Sequence, residues 1–408
     1  MIQAIAKCVA GLDVHKKNVV CTLLSEQKNG EVVAQTREFS TFRRDLIDLA
    51  EWLKDSAVEL VDMESTGIYW KQVYEAIEDV MLNASVVNAR HVKNVPGRKT
   101  DVKDSLWLSE LTRCGLLNSS FVPPRDFRQL RLLTRYRKKL SGILKAEKNR
   151  LHKLLEAFGI KLSCVVSKID GVSSNRMLKG ILEDLDPEEI ADMAVGRLRK
   201  KKPELLKALE GYRLSDRDRF LLSILLSHIK WIEEQLVKID EQIVSAMKPY
   251  KKQWELLQTL PGVDQISAAM ILSEIGVDMG DFKTSGNICS WAGMCPGNNE
   301  SAGKRKSGKT RKGNNYIRTI LCETANAAIK TKSQFKGMYQ GLVIRRGHKR
   351  AIVAVGHKML KIIYSMLKTG EAYKDPEIDY EKMMVKKNAP RWIKALKKYG
   401  YVNKEGMV

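Results

Sequence analysis

The sequence lacks the marks of several broad classes. Its seven cysteines are scattered, odd in number and never spaced Cys-x-x-Cys, and its six histidines form no HExxH. A disulfide framework and a structural zinc site are therefore not expected, and reduced thiols in a cytoplasm fit best. No apolar run is long enough to span a bilayer. The one apolar stretch near the start is interrupted by Asp13, His15, Lys16 and Lys17, so no secretory leader is expected. No internal repeat stands out. Acid is also short relative to base. Against 71 lysines and arginines there are 48 acids, a formal net charge of +23. Such an excess attracts polyanions and releases their counterions on binding, which favours nucleic acid over a mere solubility charge. Hydrophobic residues make up 44% of the 408, enough for two or three domains with real cores and too many for global disorder.

What is present divides along the chain. Residues 1–122 read as an α/β domain. Strands are predicted over 5–12, 19–24 and 32–39, with Asn29-Gly30 as a hairpin turn between the last two. A helix over 41–53 carries Phe42, Leu46, Leu49 and Leu53 on one side. A short strand over 60–63, a helix over 68–77, a strand over 84–88 and a helix over 103–117 follow. An antiparallel hairpin set followed by βα crossovers is the order of the ribonuclease H-like fold, in which the first and fourth strands lie side by side. Pro123-Pro124 marks a boundary. Beyond it, apolar residues recur at helical spacing from Leu130 to Phe158 and again from Leu225 to Met247. Ser215 with Asp218 has the form of a capping box opening the second of these helices. A polar, lysine-rich segment near 197–202 separates them. Residues 123–252 thus read either as a coiled-coil or dimerisation arm or as an ordinary helical bundle. A mainly α domain occupies 253–370, where Leu260-Pro261-Gly262-Val263 before an apolar helix resembles a helix-hairpin-helix turn able to face a phosphate. Residues 371–408 form a tail.

Four carboxylates fall at telling places on this plan. Asp13 and Glu64 each end a short apolar run, at the expected ends of the adjacent first and fourth strands. Asp101 and Asp104 are three residues apart at a predicted helix start, so they share a face. Each alone reads as a surface acid or a helix cap. Together, at the strand ends of a basic protein, they suggest magnesium or manganese held by oxygen ligands against a nucleic-acid phosphate. Lys99 and Lys103 flank the second pair as phosphate-seeking cations. Asp62 is expected at a different face or depth from Glu64, and His15 is expected to be a surface histidine.

A second constellation runs from Pro296 to Asn314. Glycines 297, 303, 308 and 313 interleave with Lys304, Arg305, Lys306, Lys309, Arg311 and Lys312, and a helix carrying Arg318 follows. The basic side chains suit a nucleic-acid backbone; the plainer reading is a solvated basic loop. Gly303, Gly308, Lys309 and Thr310 match the phosphate loop of nucleotide triphosphatases, GxxxxGK[ST]. That motif needs a buried strand before it and a helix running on from its lysine. Asn298 to Ser301 do not read as such a strand, and Gly313-Asn314 would break the helix, so the ATPase reading is set aside.

At this point a family resemblance is carried by named residues. Gly11-Leu12-Asp13-Val14-His15-Lys16, Glu64-Ser65-Thr66-Gly67-Ile68-Tyr69 and Lys99-Thr100-Asp101-Val102-Lys103-Asp104 resemble the N-terminal domain of insertion-sequence-family-one-ten transposases. Leu260-Pro261-Gly262-Val263, Gly293, Pro296, Ser301 and Gly313-Asn314 resemble its C-terminal part, up to about residue 330. The resemblance implies a RuvC-like DEDD domain joined through a coiled coil to a transposase domain with a nucleophilic serine. It implies Asp13, Glu64, Asp101 and Asp104 as metal ligands and Ser301 as nucleophile. The family more often has glycine after that serine, where this chain has Ala302, so Ser307 stands as the alternative. It also implies DNA recombination directed by a structured non-coding bridge RNA, by a homo-oligomer (dimer or tetramer) acting in a prokaryotic cytoplasm near the nucleoid. Two other readings use the same residues differently. A hydrolytic nuclease or junction resolvase would spend water on the phosphate and leave Ser301 as a DNA contact; a non-enzymatic nucleic-acid scaffold would need only the charge.

Overall fold

A computed structural model of the chain describes residues 4–64, 67–88, 104–297, 299–301, 303–307, 310, 312–376 and 380–401, with backbone alone at 299–301, 304–307, 380–381 and 384. The chain divides into two compact units, Met1–Val122 and Pro123–Val408. Among the described residues no helix is long and apolar enough to cross a membrane.

The first unit is a mixed α/β layer structure. Its six-stranded sheet contains β1 (Cys8–Val14), β2 (Asn18–Glu26), β3 (Val32–Ser40), β4 (Leu60–Glu64), β5 (Ala84–Val87) and β6 (Ser119–Ser120), in the order β3-β2-β1-β4-β5-β6. β1, β2 and β3 are antiparallel neighbours, whereas β4 is parallel to β1 and β5 to β4. The adjacency of first and fourth strands on which the ribonuclease H-like expectation turned is therefore present. Period-two alternation sorts the side chains. Ala10, Leu12, Val14, Val61 and Met63 join one core with Leu46, Leu49 and Leu53 of α1 (Arg43–Asp55) and Val73 and Ile77 of α2 (Trp70–Asp79). The opposite face is covered by α3 (Asp104–Arg113), which packs on β1, β2 and β4. This close fit depends on Gly11. A Cβ there would lie 2.4 Å from the Ser109 backbone nitrogen and 2.6 Å from the Ser105 carbonyl oxygen. Three hydroxyls lock the contact: Thr22 Oγ1 meets Ser105 Oγ at 2.8 Å, and Ser109 Oγ donates to the Thr22 carbonyl at 2.6 Å.

The second unit is helical. α4 (Arg125–Ala157, 33 residues) begins directly after Pro124, and α5 (Asp216–Ala246, 31 residues) opens on the Ser215–Asp218 capping box that the sequence signalled. The two pack antiparallel: Arg137 forks onto Asp240, and further out Lys148 Nζ lies 2.8 Å from Glu233 Oε1. The segment between them is more than a polar linker. Short helices from Leu162–Val165 to Lys202–Leu209 fold over the far ends of the pair and build their own core from Leu155, Ile160, Met177, Ile181, Ile190, Leu205 and Leu222. The near ends meet α6 (Gln265–Ile275), which is buried from Ser267 to Ile275. α7 (Asn315–Ala328) packs between α6 and α9 (His348–Thr369), α8 (Gln334–Arg346) pairs with α9, and α10 (Tyr380–Lys398) rests on α8.

Candidate active site

The parallel ladder between β1 and β4 runs from Val9↔Leu60 to Leu12↔Met63. One further step in that register sets Asp13 beside Glu64, on strands about 4.8 Å apart. β1 continues through Asp13, which pairs with Val20, to Val14, so this acid lies within the strand and does not end it. Asp13 is half-buried and Glu64 partly so. Because Gly11 faces α3, alternation puts Asp13 and then His15 on the α3 side; because Val61 and Met63 face the other core, Asp62 and Glu64 are also on the α3 side. Asp104, exposed, heads α3 over this same face. The sheet and its covering helix thus bring two of the four predicted acids together and direct a third to their side. Asp101, Lys99 and Lys103 lie outside the described residues, and so does the expected one-turn pairing of Asp101 with Asp104.

Two neighbours were underrated from the sequence. His15 is exposed, as expected, but its Nε2 lies 3.1 Å from Asp13 Oδ2, so it belongs to the site's edge. Its two-residue offset from Asp13 was the available signal. Asp62 shares the face of Glu64, which corrects the expectation of opposite faces. Asp62 sits beneath α3, hydrogen-bonded to Thr112, and burial pushes its carboxyl above the usual range while that bond opposes the shift. An acid with a raised folded pKa takes up a proton on folding. Its contribution is most favourable below the ordinary aspartate pKa of about 3.9 and declines as pH rises through the folded value. Asp62→Asn is therefore expected to be more stable than the parent at pH 7, by up to about 1 kcal/mol, and to converge with it below pH 4. Urea titrations at both pH values, without divalent cations, check this.

Two adjacent carboxylates offer hard oxygen donors of the kind magnesium and manganese take, and in that respect the pair fits such an ion. Among the described residues, no group of three or more His, Cys, Asp and Glu side chains is gathered closely enough to hold a metal.

The second unit carries the serine on a ribbon. β7 (Asn299–Ser301) and β8 (Lys304–Ser307) pair antiparallel, with Ser301 opposite Lys304 beside a turn through Gly303, whose φ is +72°. Ser307 stands opposite Asn299, at the other end of the stem. A bridge between Pro296 and Thr310 closes the base. Below it, Gly313 is so close to the backbone of Trp291 and Gly293 that a Cβ would lie 2.3 Å from the Gly293 nitrogen. Lys304 to Ser307 are thus strand, which agrees with setting the phosphate-loop reading aside. The Leu260–Val263 turn is also committed. Gly262 lies against the backbone of α7, and the N-terminus of α6 is capped by the Asp264 carboxylate, which accepts from Ser267 N at 2.7 Å. That helix end already has its anion.

Two family models match these two regions. A DEDD-type model described as Transposase covers residues 10–160, and the model described as Transposase IS116/IS110/IS902 family covers residues 254–340. The chain belongs to the IS110 transposase family. It is 24% identical over 327 residues to a transposase for insertion sequence element IS1111A of Coxiella burnetii, across 78% of this chain and 80% of that protein. It is 26% identical over 159 residues to the putative transposase y4pF/y4sB of Sinorhizobium fredii, across 38% of this chain and 39% of that one. Among solved structures it matches the RuvC of Thermus thermophilus with a TM-score of 0.22 and 13% identity, covering 28% of this chain and 99% of that one.

In this IS110-family chain the cations predicted for nucleic acid are distributed around the ribbon. Lys304, Arg305 and Lys306 lie on β8, Lys312 is exposed at the base and Arg318 is half-buried on α7, while Lys309 and Arg311 lie outside the described residues. One residue at the root went unnoticed in the sequence: Glu274, buried near the end of α6. A lone acid in the run Ala268-Ala269-Met270-Ile271-Leu272-Ser273-Glu274-Ile275 was the signal, since a buried charge needs partners.

Proposed function

We propose that this transposase cuts and rejoins DNA through a phosphodiester between DNA and Ser301, with Asp13, Glu64, Asp101 and Asp104 holding divalent magnesium or manganese. What supports this reading is that Asp13 and Glu64 lie on one face of adjacent parallel strands, one step beyond the Leu12–Met63 pair, in a transposase of strongly basic charge. A bound divalent cation would supply stabilisation of negative charge on the scissile phosphate. Asp13 and Glu64 present oxygen donors on the face covered by α3, and His15 touches Asp13 and limits its rotation. The Ser301 hydroxyl oxygen forms a bond to phosphorus and gives its proton to solvent; the bond from phosphorus to one deoxyribose oxygen breaks, and that oxygen leaves with the electron pair and takes up a proton. The new ester keeps the energy of the broken bond, so a strand hydroxyl reverses the step without ATP. Lys304, Arg305, Lys306, Lys309, Arg311, Lys312 and Arg318, with Lys99 and Lys103, neutralise phosphates of the strands.

The division of labour follows the sequence: 1–122 as the DEDD nuclease domain, 123–252 as a helical dimerisation arm, 253–370 as the serine domain and 371–408 as a tail. Exposed Leu132, Tyr136 and Ile143 on α4, and Phe220, Ile224 and Trp231 on α5, support an arm that joins copies of the chain into a dimer or tetramer. The net charge of +23 supports a structured non-coding RNA as a further partner that directs the choice of DNA site.

Asp13→Asn and Glu64→Gln are each expected to lower strand cleavage in magnesium by about 10³-fold, the loss of roughly 4 kcal/mol of transition-state stabilisation, with DNA binding retained. Chelation should do the same to the parent protein. Cleavage that persists in chelator, or in both variants, would remove the acids from the chemistry.

A further inference from the structure

The ribbon that carries Ser301 is anchored at its root by a buried carboxylate for which strand transfer gives no role. Glu274 is 2% exposed. Arg135 of α4 forks onto it, Nε to Oε1 at 2.8 Å and Nη2 to Oε2 at 2.9 Å. Arg131, one turn earlier, lies 3.3 Å from Glu274 Oε2 through its Nε and donates to the Ser273 carbonyl at 2.9 Å and to that of Glu274, so it also satisfies the end of α6. The third partner is Asn314, whose Nδ2 donates to Glu274 Oε2 at 2.6 Å.

Asn314 is the residue at which the ribbon returns to the domain. Its Oδ1 accepts from Tyr316 N and Ile317 N and so caps α7. Its backbone N–H donates to the Trp291 carbonyl at 3.2 Å, beside the ribbon's entry. Asn314 therefore joins entry, exit and the following helix, and Glu274 ties that junction to α4. We propose that Glu274 is a positioning residue which, through Asn314, fixes the direction in which the Ser301 ribbon leaves its domain. The inference rests on Ser301 as nucleophile.

Leverage makes the root matter. The three strand residues Asn299 to Ser301 extend about 10 Å at roughly 3.3 Å each, so a tilt of about 6° at the base moves the tip by about 1 Å. A misplacement of that size costs on the order of 10²-fold in rate when geometry is set by a rigid support. Only a carboxylate takes an arginine fork and an amide donor together, whereas glutamine would present one of them with a donor.

Asn314→Asp isolates the tie. Aspartate caps a helix as well as asparagine does, so α7 keeps its start, but the donor to Glu274 is replaced by a second acceptor. Glu274→Gln strikes the same tie from the other side: whichever way its amide turns, a donor meets Arg135 or Asn314. The expected result is a covalent protein–DNA adduct formed about 10²-fold more slowly by Asn314→Asp with DNA affinity unchanged, faster amide exchange across 303–313, and an Asn314→Asp/Glu274→Gln double variant within about threefold of the slower single, since both changes break one tie. Parent-like adduct rate and exchange in Asn314→Asp, or single losses that multiply in the double variant, would overturn the proposal. Ser301→Ala, run in parallel, separates the two claims. If it still forms the adduct, the serine reading falls and amide exchange alone decides whether Glu274 holds the ribbon.

Discussion

Ser301→Ala is expected to yield no covalent protein–DNA species on denaturing gels, while the protein still binds DNA and folds as the parent does. Adduct formation should fall by on the order of 10⁴-fold or more, because no other oxygen substitutes for a missing nucleophile. The contrast is with Ser307→Ala, which should form the adduct at a parent-like rate. The ribbon gives the physical ground for choosing between them. Ser301 is paired with Lys304 next to the turn, at the tip of the short stem; Ser307 is paired with Asn299, toward the base. Mapping the modified peptide by mass spectrometry would decide. A phosphodiester on Ser307, or an adduct that survives Ser301→Ala, would reassign the chemistry. Strand cleavage by Ser301→Ala without any adduct would favour the hydrolytic nuclease instead.

Gly11→Ala should unfold the first unit, or nearly so, although it adds a single methyl group two residues from Asp13. The new carbon would lie 2.4 Å from a backbone nitrogen and 2.6 Å from a carbonyl oxygen of α3, and neither can rotate away as a side chain would. Relief requires the helix to rise off the sheet. That breaks the contacts of Ser105 and Ser109 with Thr22 and uncovers the buried Asp62–Thr112 pair. Overpacking usually costs about 1–3 kcal/mol, and rigid backbone on both sides puts this case at or above the upper end. For a unit of this size the midpoint of thermal unfolding should fall by about 10 °C or more. Ser109→Ala in the Gly11→Ala background should recover little, since the backbone nitrogen is the nearest obstacle. A melting temperature within a few degrees of the parent would show that α3 does not sit against β1 as described.

The sheet was largely legible in the sequence because each strand pairs an apolar run with a turn signal, and because parallel βα crossovers leave few ways to order five strands. Alternation of buried residues sets Asp13 and Glu64 on one face of adjacent strands. Errors arose where a local pattern was ambiguous. Asp13 was read as the residue after a strand because an acid breaks an apolar run, yet its side chain projects from a strand whose backbone pairs on through Val14. For Asp62 and Glu64 a different face or depth was expected, and an offset of two rules out the first. The helical cap between α4 and α5 was passed over because its lysines outweighed the apolar residues that form its core, among them Met177, Ile181 and Leu205. Glu274 was missed for a different reason: its partners Arg135 and Asn314 are distant in sequence on both sides, and only the fold makes them neighbours.

The 33-residue length of α4 has a consequence of scale. At 1.5 Å per residue it measures about 50 Å, the length of some fifteen base pairs of duplex. Stiffened by its antiparallel partner, it is a rod whose two ends, like marks on a rule, stand a fixed distance apart. Each heptad added to or removed from both rods would shift the far mark by about 10 Å, close to three base pairs. Any spacing preference this transposase has between the DNA positions it engages would then be written in helix length, independent of the acids and the serine.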